Sequence, residues 1–139
     1  MVQPGNNGPF FIAFRDGNGN FSGGFKQQGI GFTSAGASDK RLKENIKPLS
    51  LGINTLLQIQ PVEFTWKDSQ ISSKGFIAQD LYKIYPDAAF KPQTDDVKND
   101  PWTIDQTKLI PLLVKSMQDQ QKIIDELKER ITQLEKNNK

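Results

Sequence analysis

IPLLVKSMQDQQKIIDELKERITQLEKNN, running from Ile110 to Asn138, decides how this chain is built. Its apolar residues recur at alternating intervals of three and four. With heptad position a at Ile110, Met117, Ile124, Ile131 and Asn138, position d falls on Leu113, Gln120, Leu127 and Leu134. Only Gln120 and Asn138 interrupt the apolar seam over about four heptads, the pattern of a coiled coil. A helix this polar is marginal alone in water, so its seam needs partners. Asp105 or Thr107 is expected to cap it. Pro111 is tolerable only near the first turn, which sets the start close to Thr107. Ile at a with Leu at d favours a parallel pair, whereas Ile123 at g and Val114 at e widen the apolar face. The wider face suits three or more strands, or docking onto the rest of the chain. Arg130 at g and Glu135 at e are spaced as a parallel interchain ion pair, exposed and worth at most about 1 kcal/mol. Periodicity alone gives a parallel oligomer of two or three chains; the competing reading is a single helix folded back on its own body.

Upstream, residues 38–104 read as a small α+β body. Leu49, Ile53, Leu56 and Leu57 recur at helical spacing, with Ser50 as the expected N-cap and Pro61 as the limit. Val62–Trp66 alternates like a half-buried strand. Lys67–Gln70 reads as a turn and Gly75–Ala78 as a second strand. Gln79–Tyr85 is expected to be a short helix stopped by Pro86. Ala88–Phe90 and Trp102–Ile104 are expected to be the last strands, separated by a polar surface loop, Lys91–Pro101. Trp66 and Trp102 are read as core or interface residues. Asp95, Asp96 and Asp100 do not follow an EF-hand spacing, so a solvated loop is the expectation there.

Residues 1–37 differ in character. They hold most of the chain's eleven glycines and few charges, Arg15, Asp16 and Lys26. Phe10–Phe14 is an aromatic and aliphatic run, and Asp16–Asn20 is a turn cluster. Phe21, Phe25, Ile30 and Phe32 follow among Gly, Ser and Gln. This predicts strands and tight turns, stabilised by stacking against identical strands of other subunits. The alternative is a disordered linker, against which the phenylalanine content argues.

Composition limits the chemistry. The 139 residues are 35% hydrophobic, low for a self-sufficient globule, and carry a net charge of +2. Acids and bases are interspersed, so nucleic acid is not an implied partner. No run approaches the roughly 20 apolar residues of a membrane helix, and the first residues, with no charged start before an apolar run, are not expected to be a secretory signal. There is no His and no Cys. A Ser-His-Asp triad, a cysteine nucleophile and most zinc sites are therefore excluded, and no cofactor or metal is expected. A serine or threonine activated by a lysine is the main arrangement left. Ser38 and Lys43 lie where the Gly-rich segment gives way to the helix-bearing one.

Three pieces of sequence then carry a family resemblance: Ser38-Asp39-Lys40-Arg41-Leu42-Lys43-Glu44-Asn45-Ile46, Gly75-Phe76-Ile77-Ala78-Gln79-Asp80-Leu81 followed by Tyr85-Pro86, and Leu109-Ile110-Pro111-Leu112-Leu113. In this order, residues from about Ser38 to Lys136 resemble the C-terminal intramolecular chaperone domain of phage tailspikes, tail fibres and neck appendages, the endosialidase type. A related domain occurs in the myelin regulatory factor family. Asp80 departs from the glutamate more usual there. The resemblance implies a homotrimer, joined through Ile110, Leu113, Met117, Ile124, Leu127, Ile131 and Leu134, that registers an upstream fibre or spike segment of the same chain. It implies residues 1–37 as the β-rich fibre end and residues 38–139 as the chaperone, with its body at 38–104 and its coiled-coil helix at 105–139. It also implies self-cleavage between Ala37 and Ser38, with Ser38 as nucleophile and Lys43 as base, in a virion protein made in the host cytoplasm and parted from its chaperone by the cut.

The chemistry sets conditions. Lys43 must be neutral to act as base, which burial or nearby cations promote. Lys40 and Arg41 are candidates for that repulsion, and Glu44 opposes it. Five residues on an α-helix leave the two side chains about 140° apart around the axis. A turn or bend between them is needed, or a lysine acting across a subunit boundary. Gln79 and Asp80 are expected to cap a helix rather than orient the junction. Two other readings stand beside this one: a permanent, non-catalytic trimerisation tip in which Ser38 is a cap, and a receptor-binding fibre tip in residues 1–37.

Overall fold

Asp16 organises the first hairpin. Its Oδ1 accepts from the backbone N–H groups of Asn18 and Asn20, both at 2.9 Å, and its Oδ2 accepts from Asn20 Nδ2 at 3.1 Å. These bonds hold its carboxyl below the usual carboxylate range, the Asn20 side chain contributing most. Gly19, at φ 83°, takes the left-handed conformation that the turn requires. The computed structural model describes residues 10–28 and 31–137. They divide into two units, Met1–Lys47 and Pro48–Lys139.

In the first unit, β1 (Phe10–Arg15), β2 (Phe21–Gln28) and β3 (Gly31–Gly36) form an antiparallel sheet in sequence order. Arg15 faces Phe21 across the hairpin, and Gly23 faces Gly36 in the second ladder. Phe14 and Phe25 meet edge to face at 6.5 Å, yet both rings stay exposed, as does Ile12. Among the described side chains of the sheet, these three apolar groups are left open to water. Ile30, expected among the recurring apolar positions, lies outside the described residues.

The second unit begins with α1 (Ile53–Leu56), a single helical turn. Leu49 does not join it, and Ser50 is not its cap. The N-cap is Gly52, and the Ile53 N–H is met by Asp119 Oδ2 at 3.4 Å, 66 positions away in sequence. β4 (Val62–Thr65) and β5 (Ser72–Gly75) make a hairpin, Val62 against Gly75 and Thr65 against Ser72. The expected second strand, Gly75–Ala78, is therefore displaced. The turn at Lys67–Gln70, with Gln70 at φ 57°, fixes a register that ends the strand at Gly75. Phe76 and Ile77 lead directly into α2 (Ala78–Ile84). A 3₁₀ turn at Pro86–Ala88 ends that helix as proline demands. The two expected last strands are present, each one residue shorter than expected, as β6 (Ala89–Phe90) and β7 (Thr103–Ile104), and they pair with each other. The loop between them is folded around two carboxylates: Asp96 accepts from Asn99 Nδ2 at 2.6 Å, and Asp100 accepts from the Gln93 and Thr94 N–H groups at 2.7 Å each.

Asp105 caps a 3₁₀ turn at Gln106–Lys108 by accepting from Thr107 N–H at 3.0 Å, and α3 (Leu109–Asn137) follows without a break. Pro111 sits in its first turn, where no intrahelical N–H is missed. The core joins Leu81, Tyr85, Ala88, Ala89, Leu109 and Leu112, with Leu56, Ile59, Phe76 and Ile104 packed at its margin. α3 carries two stripes. Leu109, Leu112 and Ser116 are buried toward the body, while Ile110, Leu113 and Met117 on the neighbouring stripe are exposed in the single chain. The architecture is α+β, with small antiparallel strand pairs and a long C-terminal helix.

Candidate active site

Lys43 Nζ donates a hydrogen bond to Ser38 Oγ at 2.8 Å. Local backbone geometry brings them together. Asp39 (φ −68°, ψ 136°) and Lys43 (φ −128°, ψ 138°) are both extended, and Lys40–Leu42 between them form one 3₁₀ turn. This is a bend of the kind that the five-residue spacing requires. Leu42 N–H donates to Asp39 carbonyl and Lys43 N–H to Lys40 carbonyl, each at 3.1 Å. Both side chains of the pair are solvent-exposed in the single chain.

Asp39 is the N-cap of that turn. Its Oδ1 accepts from Arg41 N–H at 2.8 Å and from Arg41 Nε at 3.0 Å, and its Oδ2 accepts from Arg41 Nη2 at 2.7 Å. The Arg41 guanidinium, then its N–H, holds the Asp39 carboxyl below the usual carboxylate range, and Asp39 in turn raises Arg41. An ion pair this exposed adds little stability. Its consequence is local. Of Lys40 and Arg41, the two candidates for repelling the Lys43 ammonium, Arg41 has its charge matched by Asp39, so its share is largely cancelled.

Ala37 stands on the other side of the junction. Its N–H donates to the Ser22 carbonyl at 3.0 Å, which extends the β2–β3 ladder one residue beyond β3. The acyl side of the Ala37–Ser38 bond is thereby held by the sheet, and the turn begins immediately after it. Left-handed conformations at non-glycine residues fall at Asn45 and Gln70 among the described residues, not at this bond.

The remaining candidates lie in the second unit. On α3, Ile110, Leu113, Met117, Ile124, Leu127, Ile131 and Leu134 are 38–69% exposed in the single chain, a row of apolar side chains that the body does not cover. Asn138 lies outside the described residues. Asp80 forms an ion pair with Lys83 at 2.8 Å, in the first turn of α2. Neither it nor Gln79 caps that helix, whose N-cap is Ile77, without a side-chain bond. Trp66 packs edge to face on Phe64 at 5.1 Å, and Trp102 on Tyr82 at 5.3 Å. Both tryptophans border an open groove of about 730 Å³. Among the described residues, no group of three or more acidic residues is placed to hold a metal ion, and no helix is long and apolar enough to cross a membrane.

Residues 38–90 match the model of a peptidase family described as chaperone of endosialidase. The match begins at Ser38 and spans the first two of the three sequence pieces, while Leu109–Leu113 and the rest of α3 lie beyond it. It supports an endosialidase-type intramolecular chaperone domain over that stretch. No curated protein matches the chain.

Proposed function

We propose, with the chaperone-of-endosialidase match as premise, that this chain is an intramolecular trimerisation chaperone. It registers the fibre or spike segment preceding residue 38 and then cuts itself free at Ala37–Ser38. The observation that carries the reading is the 2.8 Å contact of Lys43 Nζ with Ser38 Oγ, at the residue where the family match begins. With its amine neutral, Lys43 accepts the Ser38 hydroxyl proton as Oγ attacks the Ala37 carbonyl carbon. The C–N bond then breaks, and the lysine returns the proton to the departing Ser38 nitrogen. The product is an Ala37 ester on Ser38 Oγ. Water hydrolyses it to the Ala37 carboxylate and a free Ser38 hydroxyl. Each chain reacts once, because its only substrate is its own bond.

The trimer rests on the exposed seam of α3. A row of seven apolar side chains at heptad spacing is stable in water only when covered. Three parallel copies cover it and bring three copies of the Gly-rich sheet into register. The protein is then a virion tail component whose chaperone part is set free by the cut.

The mass of the purified protein tests this directly. Two fragments meeting between Ala37 and Ser38 are expected, with a single uncut chain from Ser38→Ala and strongly slowed cutting in Lys43→Ala. An intact wild-type chain that is nevertheless trimeric would leave a permanent trimerisation tip. A monomer by light scattering would remove the chaperone reading altogether.

A further inference from the structure

We propose that Asp39 is a positioning residue for the Ser38–Lys43 pair, and that Arg41 is its counter-charge. The inference rests on the self-cleavage reading above and adds two residues to it. Asp39 performs two jobs with one carboxylate. Its Oδ1 caps the 3₁₀ turn through Arg41 N–H, and both oxygens bind the Arg41 side chain in a fork. The turn spans only Lys40–Leu42 and buries no residue in the single chain, so packing within the chain does little to hold it. Its backbone bonds are two, Leu42 N–H to Asp39 carbonyl and Lys43 N–H to Lys40 carbonyl. In so short and exposed an element, a side-chain cap decides how much of the time the turn is formed. The turn in turn sets whether Lys43 Nζ reaches Ser38 Oγ at 2.8 Å or swings into water.

A bare carboxylate next to the serine would harm the reaction it positions. Its field would favour the ammonium form of the base, which cannot accept the Ser38 proton. Arg41 prevents this. Its guanidinium lies across the same carboxylate at 2.7 Å, and its planar fork fits two oxygens as a lysine head cannot. The pair therefore supplies the cap without supplying net charge. Neither residue touches the reacting atoms.

The test uses the full chain, recovered uncut from urea and refolded into buffers from pH 6 to 9, with cutting followed on gels over time. Asp39→Ala should slow cutting by about 2- to 30-fold, the range of a lost N-cap. Asp39→Asn and Asp39→Ser, which can still cap, should recover most of that rate. The rising limb of the pH–rate profile separates positioning from a general structural role. Arg41→Gln leaves the carboxylate unmatched and should move the limb to higher pH. Asp39→Asn leaves the guanidinium unmatched and should move it to lower pH. Both displacements should shrink in high salt. Lys40, Glu44 and Lys47, the other charges of the segment, are unchanged throughout.

If Asp39→Ala cuts at the wild-type rate, or if Asn and Ser do no better than Ala, the positioning role is wrong. If the two limbs coincide with wild type, the counter-charge role is wrong. In either case the serine–lysine reading survives so long as Lys43→Ala stays uncut. If Lys43→Ala cuts as fast as wild type, that reading falls first and takes this one with it. Should Asp39→Ala fail to assemble by light scattering, the Asn, Ser and Arg41→Gln comparisons decide the matter alone.

Discussion

Gly52 and Asp119 approach so closely that a Cβ on the glycine would overlap Oδ2 of the aspartate. The aspartate stands there because it completes α1, accepting the Ile53 N–H that a single helical turn leaves without an internal partner. Lys115, one turn back on α3, holds the same carboxylate. Gly52→Ala should therefore act through Asp119: the methyl displaces the carboxylate and uncaps α1. Thermal melting of the body should fall in Gly52→Ala and in Asp119→Ala, and the double variant should fall by less than the two losses added. Strict additivity would mean that the glycine is needed for some other reason.

Asp119 also predicts a pH dependence. Its carboxyl is held below the usual carboxylate range, chiefly by the Lys115 side chain and further by the Ile53 N–H. A carboxyl with a depressed folded-state pKa stabilises the fold above its unfolded value and loses that contribution as pH falls through the folded value. The unfolded value is about 3.9. Melting temperature should thus hold from neutral pH to about 4 and decline below it. Asp119→Asn should start lower at neutral pH and decline less steeply. A parallel decline in both proteins would assign the acid sensitivity to the other lowered carboxylates of this unit: Asp96, held by Asn99, Asp100, held by the Thr94 N–H, and Asp105, held by Thr107.

What was legible in the sequence follows from how local each signal is. The Asp16–Asn20 turn, the stop at Pro86 and the long C-terminal helix are written in neighbouring residues, and each is where the pattern puts it, although Asp105 caps the 3₁₀ turn that leads into the helix and the α-helix itself starts at Leu109. The α1 cap was misread because Ser50 is a good cap by type, whereas the true acceptor comes from Asp119, far along the chain. β5 was misplaced because Gly75–Ala78 is the more apolar run, yet hairpin register is set by the turn before it. The second stripe of α3 was missed for a related reason. Leu109 and Leu112 fall at heptad positions g and c, outside the seam that periodicity selects. At the candidate site, the absence of His and Cys left a serine or threonine with a lysine as the arrangement to look for, and the family resemblance singled out Ser38 and Lys43. Asp39 did not stand out, because a cap and an ion pair across two residues have no distinctive pattern.

The two stripes of α3 should separate under mutation. Leu112 is fully buried in the body, at 0% exposure, whereas Leu113 is 44% exposed in the single chain. Leu112→Ala removes a packed side chain and should cost about 2–5 kcal/mol of body stability at any protein concentration. Leu113→Ala should leave the body nearly as stable but weaken association of the copies by about 2 kcal/mol per chain. Sedimentation across a dilution series distinguishes the two, since only the second variant should shift the concentration at which the assembly dissociates. If Leu113→Ala lowers body stability as much as Leu112→Ala does, the outer stripe is part of the monomer fold and not a seam between chains.

Ser116 makes the last prediction. It is buried at 2% exposure on the body-facing stripe, one turn beyond Leu112, and its Oγ has no hydrogen-bond partner among the described residues. A hydroxyl buried without a partner costs about 1–3 kcal/mol relative to one that is satisfied. Removing it also leaves alanine, the better helix former, in the middle of a helix. The space lost is a single oxygen, so the cavity term is small. Ser116→Ala should therefore be neutral to stabilising, by up to about 1 kcal/mol. For a body of this size that is a rise of up to about 8 °C in melting temperature. Ser116→Val tests the fit from the other side: its added methyls must find room on the buried stripe of α3, and overpacking there should cost about 1–3 kcal/mol. A clear loss of stability in Ser116→Ala would show that the hydroxyl is engaged in the assembled protein, by ordered water or by another chain.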